Sequence, residues 1–367
     1  MKIEKISVYQ VDLPLEGLFD VRFSGGRTLK TVDSTIVALE TDQGITGWGE
    51  TCPAGPAYLP AFALGARAGI AELAPHLIGH DPRQINHINR IMDQFLLGHP
   101  YVKSALDMAC WDILGKALEE PLCHLLGGRL NEDLPLLEPI FFGTVEKMIA
   151  DIESHRQRGI RSFQIKGGSG VENDIERLRA AHAMIQPGEK MTVDANGGWR
   201  LHEAIRVVRA LKDLDIYVEQ PCRAYEDCLK VRRLTDHPFI LDESMDSLRS
   251  LLRAYQDDAM EAVVIKLAKV GGLSKARLIK DVCVELGLPM RIEDSWGSDF
   301  AVCATANLAH AIPADLMLAT YGDMTTLKTA DGAPQRSGGY LKASTKPGLG
   351  VAPRMAVLGD PLAVYGH

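Results

Sequence analysis

Short apolar runs, bounded by turn residues and mostly followed by a helix-spaced stretch, recur along the second two thirds of the chain. They fall at 134–141, 162–166, 191–194, 216–219, 239–242, 262–266, 290–293 and 315–320. Helical spacing is clear at Ile205, Val208 and Leu211, and again at Ala276, Ile279, Val282 and Leu286, closed by Gly287. Near-continuous apolar strands have both faces covered, as in a parallel sheet flanked by helices. Eight such steps predict a (β/α)8-type barrel, whose chemistry sits at the C-terminal ends of the strands. An open doubly wound sheet is the competing architecture, but it would not usually need eight equal steps. The first 130 residues follow another pattern, α+β. Residues 3–11 alternate as a half-buried strand does, and strands 34–40 and 46–50 are joined by a turn at Asp42, Gln43 and Gly44. A helix then carries Leu106, Ala109, Cys110, Ile113, Leu114 and Ala117 on one face, and Gly127 and Gly128 end the region. The expected organisation is an α+β domain over 1–130, a barrel over 131–332, and a segment over 333–367 with a strand at 339–343, folding back on the first domain.

Composition narrows the class. With 40 Lys+Arg against 48 Asp+Glu the net charge is −8, so no basic surface for nucleic acid is expected. The longest charge-free runs, 51–66 and 300–314, are too short and too broken to span a bilayer. The N-terminus reads as an alternating strand and not as a signal peptide. Seven scattered cysteines without a CxxC pair predict reduced, packed thiols. A cytoplasmic enzyme without a membrane partner is expected.

The residues at the strand ends supply the chemistry. Strands two to six end on Lys166, Asp194, Glu219, Asp242 and Lys266, each about one strand–helix unit from the next. Any one carboxylate there could simply cap the following helix. Three on consecutive strands would repel and raise one another's pKa unless a cation joined them. Hard oxygen donors with room for water suit one Mg²⁺. Glu243, next to Asp242, is the alternative third ligand. Lys166 and Lys266 lie four strands apart and so face each other across the barrel mouth. Each could be an ordinary ion-pair partner; together they suit proton transfer at carbon. The ordinary lysine pKa is about 10.4. A base near neutral pH needs a lower value, and a dication and burial both push that way.

The chain resembles the enolase superfamily, in its muconate lactonizing enzyme-like branch, over nearly its whole length. The resemblance is carried by GITGWGE (44–50), KSALDMACWDILGK (103–116), LLGG (125–128), VDAN (193–196), VEQP (218–221), LDES (241–244) and IKLAKVGGL (265–273). It implies an N-terminal capping domain on a (β/α)7β barrel, homo-oligomerisation, and one Mg²⁺ on Asp194, Glu219 and Asp242. The ion would bind a substrate carboxylate and stabilise an enediolate, with Lys166 and Lys266 as the acid/base pair.

Departures from the family pattern narrow the substrate. Gln164 stands where many members have the first lysine of Lys-x-Lys. The run 292–299 lacks the histidine base of the mandelate racemase branch, and Thr320, Tyr321, Gly322 and Asp323 replace the Asp-x-Asp of dipeptide epimerases. The segments 50–60, 99–105, 292–299 and 331–336 look most like members acting on proline derivatives. A cyclic amino acid would pair its ring ammonium with Asp294, and Trp296, Tyr321 or Tyr58 could offer a cation–π face. The bland alternatives are that Trp296 packs the rim and Asp294 caps a helix. The expected reaction is dehydration of cis-3-hydroxy-L-proline, with Lys266 as the α-base or the reverse pairing of lysines. The alternatives are epimerisation of proline betaine or a hydroxyproline betaine, and a non-catalytic binding protein on the same barrel. Segments 16–26 and 50–60 are expected to cover the mouth, giving Phe19, Phe23 and Tyr58 a role in specificity.

Overall fold

The computed structural model describes residues 1–15, 21–23, 27–322 and 325–366. Phe19, Asp323 and the side chain of Phe23 lie outside the described residues.

The N-terminal domain is a four-stranded antiparallel sheet backed by helices. Its strand order is Ala363–Gly366, Ile3–Pro14, Thr31–Thr41 and Thr46–Thr51, so the last described strand of the chain pairs with the first. The helix Pro100–Leu118 lies on the strand Thr46–Thr51 at very close range. A Cβ at Gly47 would come within 2.2 Å of the Ala109 carbonyl oxygen, and one at Gly49 within 1.9 Å of that of Ala105. The glycines of the GITGWGE run are therefore a packing requirement: only a bare backbone lets helix and strand approach so closely.

The barrel strands are Leu137–Ile140, Ser162–Lys166, Lys190–Asp194, Tyr217–Glu219, Phe239–Leu241, Ala262–Lys266, Met290–Glu293 and Met317–Thr320, hydrogen-bonded in chain order as one parallel sheet. A parallel bridge between Leu136 and Thr320 brings the first and eighth strands together. Each predicted run coincides with its strand to within three residues at either end. The eighth strand leads into short pairs in place of a further covering helix. Tyr340–Lys342 pairs with both Gln335–Ser337 and Leu134–Pro135. All seven cysteines are buried and none is in a disulfide. Among the described residues no helix is long and apolar enough to cross a membrane.

Glu50, the last residue of the GITGWGE run, joins the two parts of the molecule. Its carboxylate is fully buried and accepts from Ser34 Oγ at 2.6 Å, Ser298 N at 2.8 Å, Ser298 Oγ at 2.9 Å and Ala301 N at 3.0 Å. Ser298 and Ala301 open the helix Asp299–His310, so a side chain of the first domain serves the positive N-terminal end of a barrel helix. Burial pushes the Glu50 pKa up, and these donors oppose it. Glu50→Ala leaves buried donors without acceptors, each costing about 1–3 kcal/mol. We expect a loss of about 2–4 kcal/mol in urea unfolding; an unchanged midpoint would show that the junction is held elsewhere.

Candidate active site

The C-terminal ends of consecutive parallel strands converge by geometry, and here they bring the charged residues into register. Lys166 lies beside Asp194, and Asp194 beside Glu219, as direct neighbours on adjacent strands; Lys266 is likewise beside Glu293. Lys166 Nζ donates to Asp194 Oδ2 at 2.6 Å, while Asp194 Oδ1 accepts from the Asn196 backbone N at 2.8 Å. Lys266 Nζ donates to Asp242 Oδ2 at 2.5 Å, and Lys269 Nζ to Asp242 Oδ1 at 2.6 Å. Glu219 Oε2 accepts from Gln164 Nε2 at 2.8 Å and Arg291 Nη1 at 2.7 Å, and its Oε1 is buried without a hydrogen-bond partner. Glu243 Oε1 accepts from Asn196 Nδ2 at 3.0 Å, and its Oε2 is likewise buried and bare.

The electrostatics follow from burial and these pairings. Burial would raise Asp242, but Lys266 and Lys269 together hold it well below the usual carboxylate range. Burial pushes Glu219 up, with Arg291 opposing and Asp194 and Asp242 adding to the rise. Glu243 is pushed up to about 8 by burial and then by Asp242 and Asp194. Glu293 rises to about 7 by burial, against the pull of Lys266 and Arg291. At Lys266 the expected depression is not what the protein's own charges produce. Burial lowers this ammonium, yet Asp242, Glu293 and Glu243 more than offset it and hold the group above the ordinary lysine value. A dication and burial both lower an amine's pKa, but three carboxylates around this one outweigh burial.

The other expected residues are placed as follows. Tyr58, from the 50–60 segment, reaches the site: its hydroxyl donates to Asp242 Oδ2 at 3.0 Å and accepts from Lys266, whose Nζ also lies 5.0 Å from the ring centre. Tyr321 donates its hydroxyl to Gln164 Oε1 at 2.5 Å, within the network around Glu219. Trp296 is buried in the main hydrophobic cluster. Asp294 Oδ1 accepts from Ser295 N at 2.7 Å and Ala268 N at 3.1 Å, while its Oδ2 is buried with no partner. Burial pushes this carboxyl up to about 7.

Sequence reasoning did not single out Lys269, Arg291 or Asn196. Lys269 carried a usable signal, since Lys266-Leu-Ala-Lys269 spaces two amines by one turn of the short helix Leu267–Val270. Arg291 sits in an apolar strand, where a lone arginine ordinarily needs a buried partner.

The donor set is all hard oxygen and carries two bare buried carboxylate oxygens beside further carboxylates, which suits a divalent cation such as Mg²⁺. Among the described residues no three such side chains are gathered about one point as they stand, because the lysine ammoniums hold Asp194 and Asp242.

A barrel with acids and lysines at its strand ends, covered by an α+β domain, defines a class of enzyme, and comparison with known proteins agrees. Residues 147–357 match the enolase C-terminal domain-like family, and residues 21–127 the N-terminal domain of mandelate racemase/muconate lactonizing enzymes. The chain belongs to the enolase superfamily, in its mandelate racemase/muconate lactonizing enzyme group, and is an enzyme of that superfamily. It is 46% identical to a cis-3-hydroxy-L-proline dehydratase of Roseibium aggregatum, over 100% of both chains. It is 30% identical to an N-succinyl-L-Arg/Lys racemase of Bacillus cereus, over 96% of this chain and 95% of the other. A crystal structure of an enolase-superfamily member from Roseovarius nubinhibens, complexed with magnesium, superposes with a TM-score of 0.94 at 39% identity, covering 100% of both chains.

Proposed function

We propose that the enzyme dehydrates cis-3-hydroxy-L-proline with the help of Mg²⁺. The observation that carries the substrate class is Asp294: a buried carboxylate with one oxygen tied to backbone N–H groups and the other bare. Such an oxygen is satisfied by an N–H donor. A protonated ring amine has one; a quaternary betaine nitrogen has none and would need aromatic faces instead. Tyr321 has its hydroxyl on Gln164, and Trp296 is packed into the hydrophobic cluster, which leaves the acid as the better-placed recognition group. The full-length similarity to a dehydratase of this substrate supports the same choice.

Asp194, Glu219 and Asp242 would hold the Mg²⁺, with Glu243 adjacent. Bound there, the ion would supply positive charge opposite the substrate carboxylate and the negative charge that builds on it as the α-proton leaves. The protein's own residues do the rest. Asp294 accepts the ring N–H and fixes the ring. Of Lys166 and Lys266, the neutral amine takes the α-proton and the other, as ammonium, protonates the departing hydroxyl. In the cis isomer the α-hydrogen and the hydroxyl lie on opposite ring faces, so lysines on strands two and six suit an anti elimination. The Cα–H and C3–O bonds break, water leaves, and the Cα=C3 enamine tautomerises to the cyclic imine. Tyr58, on both Lys266 and Asp242, orients that lysine and shields it from water.

Purified enzyme incubated with Mg²⁺ and cis-3-hydroxy-L-proline in D₂O is expected to form an imine that borohydride traps as proline, while the trans isomer is left unchanged. The second reading, epimerisation of proline betaine or hydroxyproline betaine, draws on relatives that are racemases. It would be supported by inverted betaine carrying α-deuterium. Absence of both imine and exchange would overturn both.

A further inference from the structure

Glu219 is approached from two sides, and both neighbours meet the same oxygen. Gln164, from the second barrel strand, donates Nε2 to Oε2 at 2.8 Å; Arg291, from the seventh, donates Nη1 to that atom at 2.7 Å. Arg291 is 2% exposed and is the largest of the fully buried side chains, and its Nη2 donates to Thr192 Oγ1 at 2.8 Å. Gln164 is pinned in turn by the Tyr321 hydroxyl on its Oε1. The outcome is lopsided: Oε2 has two donors and Oε1 has none. A planar guanidinium anchored at both ends fixes a carboxylate in a way that a freely rotating ammonium cannot. It is also the one cation hydrogen-bonded to Glu219 among the described contacts, because the side chain at 164 is neutral.

We propose that Arg291 is a positioning residue of the cation site: it holds Glu219 through Oε2, leaves Oε1 alone to face the ion, and supplies the charge that Gln164 lacks. This rests on the Mg²⁺ reading above. Because residues 164 and 291 reach the same oxygen, the cation should be transferable between them. Glu219 needs one cationic donor on Oε2; with none it is a buried, unbalanced charge, and with two the site gains excess positive charge that opposes a dication.

The test is calorimetric titration of chelator-treated protein with Mg²⁺ alone, with thermal melts to confirm folding. R291M and Q164K should each weaken Mg²⁺ binding by about tenfold or more, as loss of a supporting partner does. R291K should fall between R291M and wild type, and Q164K/R291M should return to within about threefold of wild type. The R291K and Q164K/R291M proteins keep a cation at the site and so carry the test if R291M alone does not fold. Wild-type affinity in R291M, or a double variant no tighter than the weaker single one, would overturn the role of Arg291 while the metal reading stands. A wild-type protein that takes up no Mg²⁺ would overturn the metal reading, and this inference with it.

Discussion

Lys166→Ala and Lys266→Ala are each expected to lower kcat/KM for cis-3-hydroxy-L-proline by about 10³-fold or more, the scale of a lost general acid or base. Folding should survive both. Lys266 shares Asp242 with Lys269, which still holds Oδ1 at 2.6 Å when Lys266 is gone. Asp194 keeps its bond from the Asn196 backbone when Lys166 is gone. Solvent exchange assigns the roles. Loss of the lysine that takes the α-proton stops deuterium incorporation and dehydration together. Loss of the lysine that protonates the hydroxyl stops dehydration while slow α-exchange persists. Full activity in either variant would sink the paired-lysine scheme.

Asp294→Asn should separate stability from function. Asp294 rises from an ordinary 3.8 to about 7 because it is buried, against the pull of Ser295 and Ala268 N–H. Only its ionised form accepts fully from a ring ammonium. In the wild type kcat/KM should therefore fall as pH drops below about 7, by about tenfold per pH unit. The asparagine variant should lack the part of that limb due to Asp294, keeping only that of the lysine base, and lose at least about 10²-fold in kcat/KM at pH 8, as expected for a severed buried charge pair. The stability sign is opposite. A carboxyl whose pKa is higher folded than unfolded favours the fold at low pH, and this benefit is lost as pH rises from about 4 to about 7. The variant should thus melt a few degrees higher than wild type at pH 8 and gain nothing at pH 4. An acidic limb in Asp294→Asn identical to that of the wild type would remove Asp294 from substrate recognition.

The barrel was legible because its signals are local. A parallel strand buried on both faces is a short apolar run wherever it occurs, and eight such runs named the eight strands. The strand-end acids and lysines were legible for the same reason, since the fold places strand C-termini at one mouth. The residues that serve them were not. Gln164 looked like a missing lysine and proves to be a donor to Glu219; Tyr321 looked like a substrate wall and spends its hydroxyl on Gln164. Glu50 stood in a recognisable run, but nothing near it announced Ser298 and Ala301. Lys266 looked set for a lowered pKa until three carboxylates were found around it.

The sequence by itself determined the strand order, the α+β region ahead of the barrel, and the strand-end residues Lys166, Asp194, Glu219, Asp242 and Lys266, because periodicity and strand-end position are properties of neighbouring residues. The tertiary structure alone decided which oxygen of each carboxylate is held and which is left bare. Glu219 Oε2 is occupied from the second and seventh strands, Asp242 Oδ2 by Tyr58 of the first domain as well as Lys266, and Asp294 Oδ2 by nothing. Those pairings form between side chains far apart in the chain, and hydrogen bonding and desolvation act only on what packing brings within about 3 Å.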